Sequence, residues 1–139
     1  MNSSKVSVLL LALAMSLPAS AKSKAAWTPD AEYVSALATA NRFLHAWQVQ
    51  DHEAGLLLLT DAAKRQTSED YLDLFFSSEG SSQEGFEINR GKRLKAGRYE
   101  FPVALWHTIP GKNQKPRPRF SEIVVVRTGK DEWAIDKLP

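Results

Sequence analysis

The chain has 139 residues, with 18 Lys and Arg against 16 Asp and Glu and no cysteine. A formal charge of +2 excludes the bulk basic excess expected of a nucleic-acid partner; the missing thiols exclude disulfides, thiolate chemistry and a lipid anchor on cysteine. Stability must come from packing, and the length suits one domain with one core. In chain order, Met1 to Ala21 has the layout of a secretory signal: one cation at Lys5, the apolar run Val6 to Leu17 broken only by Ser7 and Ser16, then Pro18 and the small residues Ala19-Ser20-Ala21. The run is shorter than the roughly 20 apolar residues that span a bilayer. Cleavage after Ala21, a periplasmic or secreted product and no transmembrane segment after cleavage are therefore expected. Residues 22–27 read as a polar leader, and 28–139 as a single α+β domain.

Thr28-Pro29-Asp30 offers an N-cap, a proline for the first helical position and an acid for the first turn. Tyr33, Leu37, Ala40, Leu44 and Trp47 then recur at spacings of four, three, four and three, with Phe43 widening the stripe, which predicts a helix to about Gln48. Polar Gln50 to Glu53 breaks it. Ala54 to Leu59 predicts a short second helix, and Thr60-Asp61 either ends it or caps a further turn. Thr67 or Ser68 caps the next helix, with Glu69 and Asp70 in its first turn and Tyr71, Leu72, Phe75 and Phe76 on its buried side. Gly80 to Gly85 reads as a loop.

From Phe86 onward the period alternates, and strands follow. Phe86 and Ile88 share a face of the first, while Tyr99, Phe101, Val103 and Leu105 share a face of a long second one, joined by Gly91 to Gly97. Phe120 to Thr128 predicts a third strand, whose run Ile123 to Val126 is apolar on both faces and so central. Thr128-Gly129-Lys130-Asp131 predicts a tight turn with the glycine at positive φ, entering a fourth strand from Glu132 to Leu138. Pro110 to Pro118 is the longest polar connection.

The helix end Phe43-Leu44-His45-Ala46-Trp47, the polar break with Asp51, the apolar second helix and the closing Gly129-Lys130-Asp131-Glu132-Trp133-Ala134-Ile135-Asp136 together resemble exported bacterial members of the nuclear transport factor 2-like superfamily. The likeness spans roughly Asp30 to Leu138, and its most specific part is Trp133-x-Ile135-Asp136 after the glycine turn. The resemblance implies an α+β cone, N-terminal helices packed on a curved antiparallel sheet of about four strands, within which a pocket can form. It implies no single function, since the superfamily holds isomerases, dehydratases, protein-binding modules and domains without known activity.

Enzymes on that fold set a carboxylate or histidine in the cone beside a tyrosine or second polar group, as the resemblance implies. Asp70, Tyr71, Tyr99, His45 and His107 have the right chemistry, and His107 continues the Tyr99 to Leu105 face. The plainer alternative puts His107 at the wet end of its strand, with Tyr71 and Tyr99 in the core. His45, His52 and His107 follow no metal-ligand spacing and no serine sits in a Gly-x-Ser-x-Gly turn, so neither a metal, a nucleophilic triad nor a cofactor is expected. Trp47 and Trp133 fall on apolar faces. Trp106 lies opposite Leu105 with Pro102 and Ala104, which makes it the candidate for an interface such as a homodimer, unless a loop covers it.

Charge is sharply divided. Residues 28–87 hold eleven acids against three bases, and residues 90–119 nine bases against the single acid Glu100. Within the second stretch Lys115, Arg117 and Arg119, spaced by Pro116 and Pro118, are the candidates for holding an anionic envelope polymer or lipid surface, unless these charges are merely solvated or paired with the acidic helices. No nucleic-acid partner is expected outside the cytoplasm. The sequence thus points to an exported non-enzymatic binding or interaction domain, with an isomerase-like or dehydratase-like enzyme and a self-associating scaffold as its alternatives.

Overall fold

The structure, a computed structural model, describes residues 26–76, 82–108, 111 and 117–139. The expected signal segment and Lys115 of the expected anion-binding loop lie outside these residues. Helix α1 (Ala31–Gln48) is capped by Asp30, not Thr28: the Asp30 carboxylate accepts from the Tyr33 N–H at 2.6 Å. A carboxylate there satisfies an orphan donor and meets the positive helix end together, which a threonine hydroxyl cannot do. The expected stripe is buried at Tyr33, Ala40, Phe43, Leu44 and Trp47, joined by Ala36, whereas Leu37, expected in the stripe, is only half-buried. The helix closes in a Schellman arrangement, Asp51 N–H donating to Ala46 O at 2.9 Å and Gln50 N–H to Trp47 O at 3.2 Å. Gln50 occupies the left-handed position, φ 58°, that glycine usually fills.

Asp51 caps α2 (His52–Leu57) and Thr60 caps α3 (Asp61–Gln66), its hydroxyl accepting from Ala63 N–H at 3.0 Å. Of the two roles open to Thr60-Asp61, the chain takes the cap. Ser68 begins α4 (Glu69–Phe76) by accepting from Tyr71 N–H at 3.2 Å. Leu72, Phe75 and Phe76 are buried, but Tyr71, expected beside them, is exposed. It lies along the flank of Phe75 with ring centroids 6.2 Å apart and donates its hydroxyl to the Pro139 carbonyl at 3.2 Å. An eight-residue helix buries only a narrow stripe, and a tyrosine at its margin keeps its hydroxyl satisfied there.

The antiparallel sheet has five strands, one more than expected: β1 (Ser82–Ile88), β2 (Lys92–Lys95), β3 (Arg98–Thr108), β4 (Arg119–Arg127) and β5 (Trp133–Lys137). Their order is β1-β3-β4-β5, with β2 paired to the first residues of β3. Two stretches expected as loops are strand. Ser82 and Gln83 pair with Thr108 and His107 before a bulge, and Lys92-Arg93-Leu94-Lys95 forms β2. The latter has no hydrophobic alternation to read; its ladder to Tyr99 and Glu100, and the Lys92–Glu100 ion pair at 3.0 Å, hold it. In the last hairpin Gly129 is not at positive φ. Instead the Arg127 guanidinium donates to the Gly129 and Lys130 carbonyls at 3.1 and 2.7 Å and holds the turn.

Tyr99, Phe101, Val103 and Leu105 share the buried concave face with Ile123, Val125 and Ile135, against α1, and β4 lies between β3 and β5 as its apolar run requires. The Trp133-x-Ile135-Asp136 strand clasps the helices to the sheet. Ile135 bridges Leu59 in parallel, Thr60 N–H donates to Ile135 O at 2.9 Å, and the Asp136 carboxylate accepts from Thr60 Oγ1 at 2.9 Å and Arg98 Nη1 at 2.7 Å.

Candidate functional site

The side chains singled out as chemistry are dispersed. Asp70 and Tyr71 are exposed on α4, and His45 is exposed on α1. Tyr99 is buried at the start of β3, where its hydroxyl makes long hydrogen bonds to Asp30 Oδ1 (3.4 Å) and Glu32 Oε2 (3.5 Å). Burial, then the two carboxylates, hold its pKa above the ordinary phenol value. His107, near the far end of β3, is half-buried with its ring edge-on to Trp47 at 5.1 Å; burial and the Arg119 charge lower its pKa. Eight residues of one strand separate Tyr99 from His107, about 26 Å at strand rise. No two of these groups meet over one substrate atom.

Arg119 is the first residue of β4, paired in register with Leu105, rather than part of the proline-bearing connection. It acts on His107, whereas Arg117 is exposed outside the strand. Trp106 is half-buried; the aromatic that stands out on the convex face is Phe120, 76% exposed and paired with Ala104.

What the fold does assemble is a groove between α1 and β1. Phe86 and Ile88 pair with Leu105 and Val103 and so share their face of the sheet, but they are only half-covered and line an open depression with Val34, Leu37 and Asn41 of α1. At the N-terminal end of α1 a depression of about 400 Å³ is lined by Trp27, Tyr33, Arg90, Gly91, Arg93 and Tyr99, with Asp30 at its side. Trp27 meets Tyr33 edge-on at 4.9 Å and carries the Arg90 guanidinium 4.2 Å above its ring. Tyr33 accepts from Gly91 N–H at 3.0 Å. Gly91 must lack a side chain, since a Cβ would collide with the Phe101 ring and lie 2.6 Å from the Glu100 carbonyl. The groove continues through about 260 Å³ bounded by Trp27, Tyr33, Val34, Leu37 and Ile88 into about 510 Å³ bounded by Val34, Leu37, Ala38, Asn41, Phe86 and Ile88.

Its charges are distributed unevenly. Glu32 is taken by Arg127 at 2.8 Å and Lys92 by Glu100 at 3.0 Å, while Asp30 serves as the α1 cap. Arg90 and Arg93 make no ion pair among the described residues. Sequence reasoning assigned Trp27 to a leader and counted Arg90 and Arg93 only as charge. Nothing local ties Trp27 to Arg90 across 63 positions, though Val34, an apolar residue of α1 outside the predicted stripe, is a readable signal.

No protein-family model matches the chain, and no curated protein does. Among solved structures the chain is similar to a ketosteroid isomerase-like protein from Erwinia carotovora atroseptica SCRI1043, with TM-score 0.61, 16% identity, 77% of this chain and 92% of that one covered. It is also similar to a domain of unknown function with a cystatin-like fold from Nostoc punctiforme PCC 73102, with TM-score 0.57, 16% identity, 78% of this chain and 75% of that one covered. At such identities the likeness shows the fold, an α+β cone of the nuclear transport factor 2 and ketosteroid isomerase-like kind.

Proposed function

We infer that this protein is an exported, non-catalytic binding domain on a nuclear transport factor 2-like cone, and that its ligand site is the α1/β1 groove. The observation that carries this is the contrast between Phe43, Leu44, Trp47, Phe101 and Leu105, buried together between α1 and the sheet, and an open flank with aromatic walls and two arginines that form no ion pair among the described residues. Binding sites are concave, largely apolar and preformed, with a few polar groups fixing orientation; catalysis needs a positioned acid or base within reach of another group. Titration of a diverse fragment set into isotope-labelled protein is expected to move the Trp27 indole, Gly91 and Leu37 resonances. Fragments that move only the His107 end, or turnover of an enolisable ketone lost in His107→Ala or Asp70→Asn, would overturn this in favour of the isomerase-like alternative, which rests on fold likeness alone.

A second role has its own observation. Phe120 lies on the convex sheet face beside Ala104, Pro102 and Trp106, and an exposed aromatic on an apolar sheet patch favours self-association. Phe120→Glu is expected to shift a dimer to monomer in sedimentation; a wild type that stays monomeric at high concentration removes this role.

A further inference from the structure

We propose that the groove takes a single-chain amphiphile with an anionic head, a medium-chain carboxylate being the simplest, the head held by Arg90 and Arg93 and the tail laid along Val34, Leu37, Phe86 and Ile88. This rests on the groove being the binding site. The two ends differ in the way such a ligand differs. At one end the Arg90 guanidinium lies 4.2 Å from the centre of the Trp27 ring, and Arg93 is paired in register with Tyr99; both are exposed, and neither has an ion-pair partner among the described residues. Guanidinium matches a carboxylate through two parallel charge-assisted hydrogen bonds. At the other end the walls are aliphatic and aromatic: Val34 is 51% exposed and Phe86 and Ile88 are half-covered, with exposed Asn41 on the margin. From Val34 to Asn41 the helix advances about 10 Å, a length that suits a medium-chain tail. A cationic head would meet two like charges, Arg90 and Arg93, and a short anion would leave the apolar length empty.

The test uses the protein purified after expression of the full chain. Calorimetric titration with hexanoate, octanoate and decanoate, each below its micelle concentration, is expected to give one site whose affinity rises about two- to fourfold per added methylene, the upper value corresponding to full burial. Acetate and decyltrimethylammonium should not bind. The double variant Arg90→Gln with Arg93→Gln should weaken decanoate at least tenfold and leave decanol unchanged. Val34→Asp, at an exposed position that spares folding, should flatten the dependence on chain length. Decanoate binding no better than acetate, equal binding of the cationic analogue, or indifference to the arginine pair overturns the proposal. If neutral fragments still occupy the groove in that event, the groove remains the binding site and only the amphiphile falls; if neither decanoate nor any fragment moves Trp27, Gly91 and Leu37, both fall.

Discussion

His107 illustrates how one ring can report on its surroundings. Its pKa is lowered by burial against Trp47 and by Arg119, so over the window from the ordinary value near 6.5 downward the unfolded chain binds more protons than the folded one, and stability falls as pH falls through that window. The melting temperature is expected to drop on acidification below about pH 6.5, and His107→Gln should flatten that part of the profile. Arg119→Gln should raise the His107 pKa in an NMR titration; an unmoved titration would mean that the guanidinium does not act on the ring. Gly91 makes a separate prediction. Gly91→Ala forces the Phe101 ring or the Glu100 carbonyl aside and should cost about 1–3 kcal/mol in urea denaturation, whereas Gly85→Ala, whose Cβ would meet nothing within 4 Å, should fall within about 0.5 kcal/mol of wild type.

Among the elements, the junction of α3 with β5 concentrates the most specific interactions. Burial pushes the Asp136 carboxyl up, but the hydrogen bonds from Arg98 and Thr60 outweigh it and hold the pKa below the ordinary 3.8. A depressed acid stabilises above its unfolded pKa, and that contribution is lost as pH falls through the region of 3.8 and below. Asp136→Asn should lower stability by about 1–2 kcal/mol at neutral pH, and a double-mutant cycle with Thr60→Val should show coupling between them; strict additivity would remove Thr60 from the clasp. This junction was half legible. The strand Trp133 to Asp136 after its glycine turn stood out, and a cap was one of two roles open to Thr60, but the meeting of Thr60 with Asp136 across 76 positions leaves no trace in local pattern. The same division runs through the other elements. The stripe of α1 and the alternation of β3 were readable because burial on one face imposes a period, whereas β2 was not, because every residue of Lys92 to Lys95 is exposed and pairing, not burial, makes it a strand. The groove stayed hidden for the reason that hid β2, since Trp27, Arg90 and Arg93 come together only through tertiary contact.

Taken whole, the molecule has acidic helices and basic strand ends, and the partition counted along the chain becomes a dipole in space only where charges stay unpaired. Two of the bases counted in residues 90–119 do not: Lys92 and Arg98 each have a carboxylate partner, as do Arg127 and Lys137 beyond that stretch. Binding to anionic vesicles or envelope polymer remains a proposal for Lys115, Arg117 and Arg119, and the placement of Arg119 in β4 changes its weighting. Arg117→Gln is expected to reduce retention on anionic vesicles at low salt more than Arg119→Gln does, with both differences vanishing as salt shortens the screening length from about 10 Å at 0.1 M. Equal retention of both variants and the wild type would make the partition a solubility feature. The clasp between Leu59 and Ile135 also sets a timetable. Helices and early strands can form as the chain emerges, yet the core cannot close until the closing strand arrives, because Ile135 completes the pairing of Leu58 and Leu59. Such long-range closure is slow, and a chain lacking residues 132–139 should remain protease-sensitive throughout, so that the protein's competence to be handled as an open polymer lasts until β5 is made.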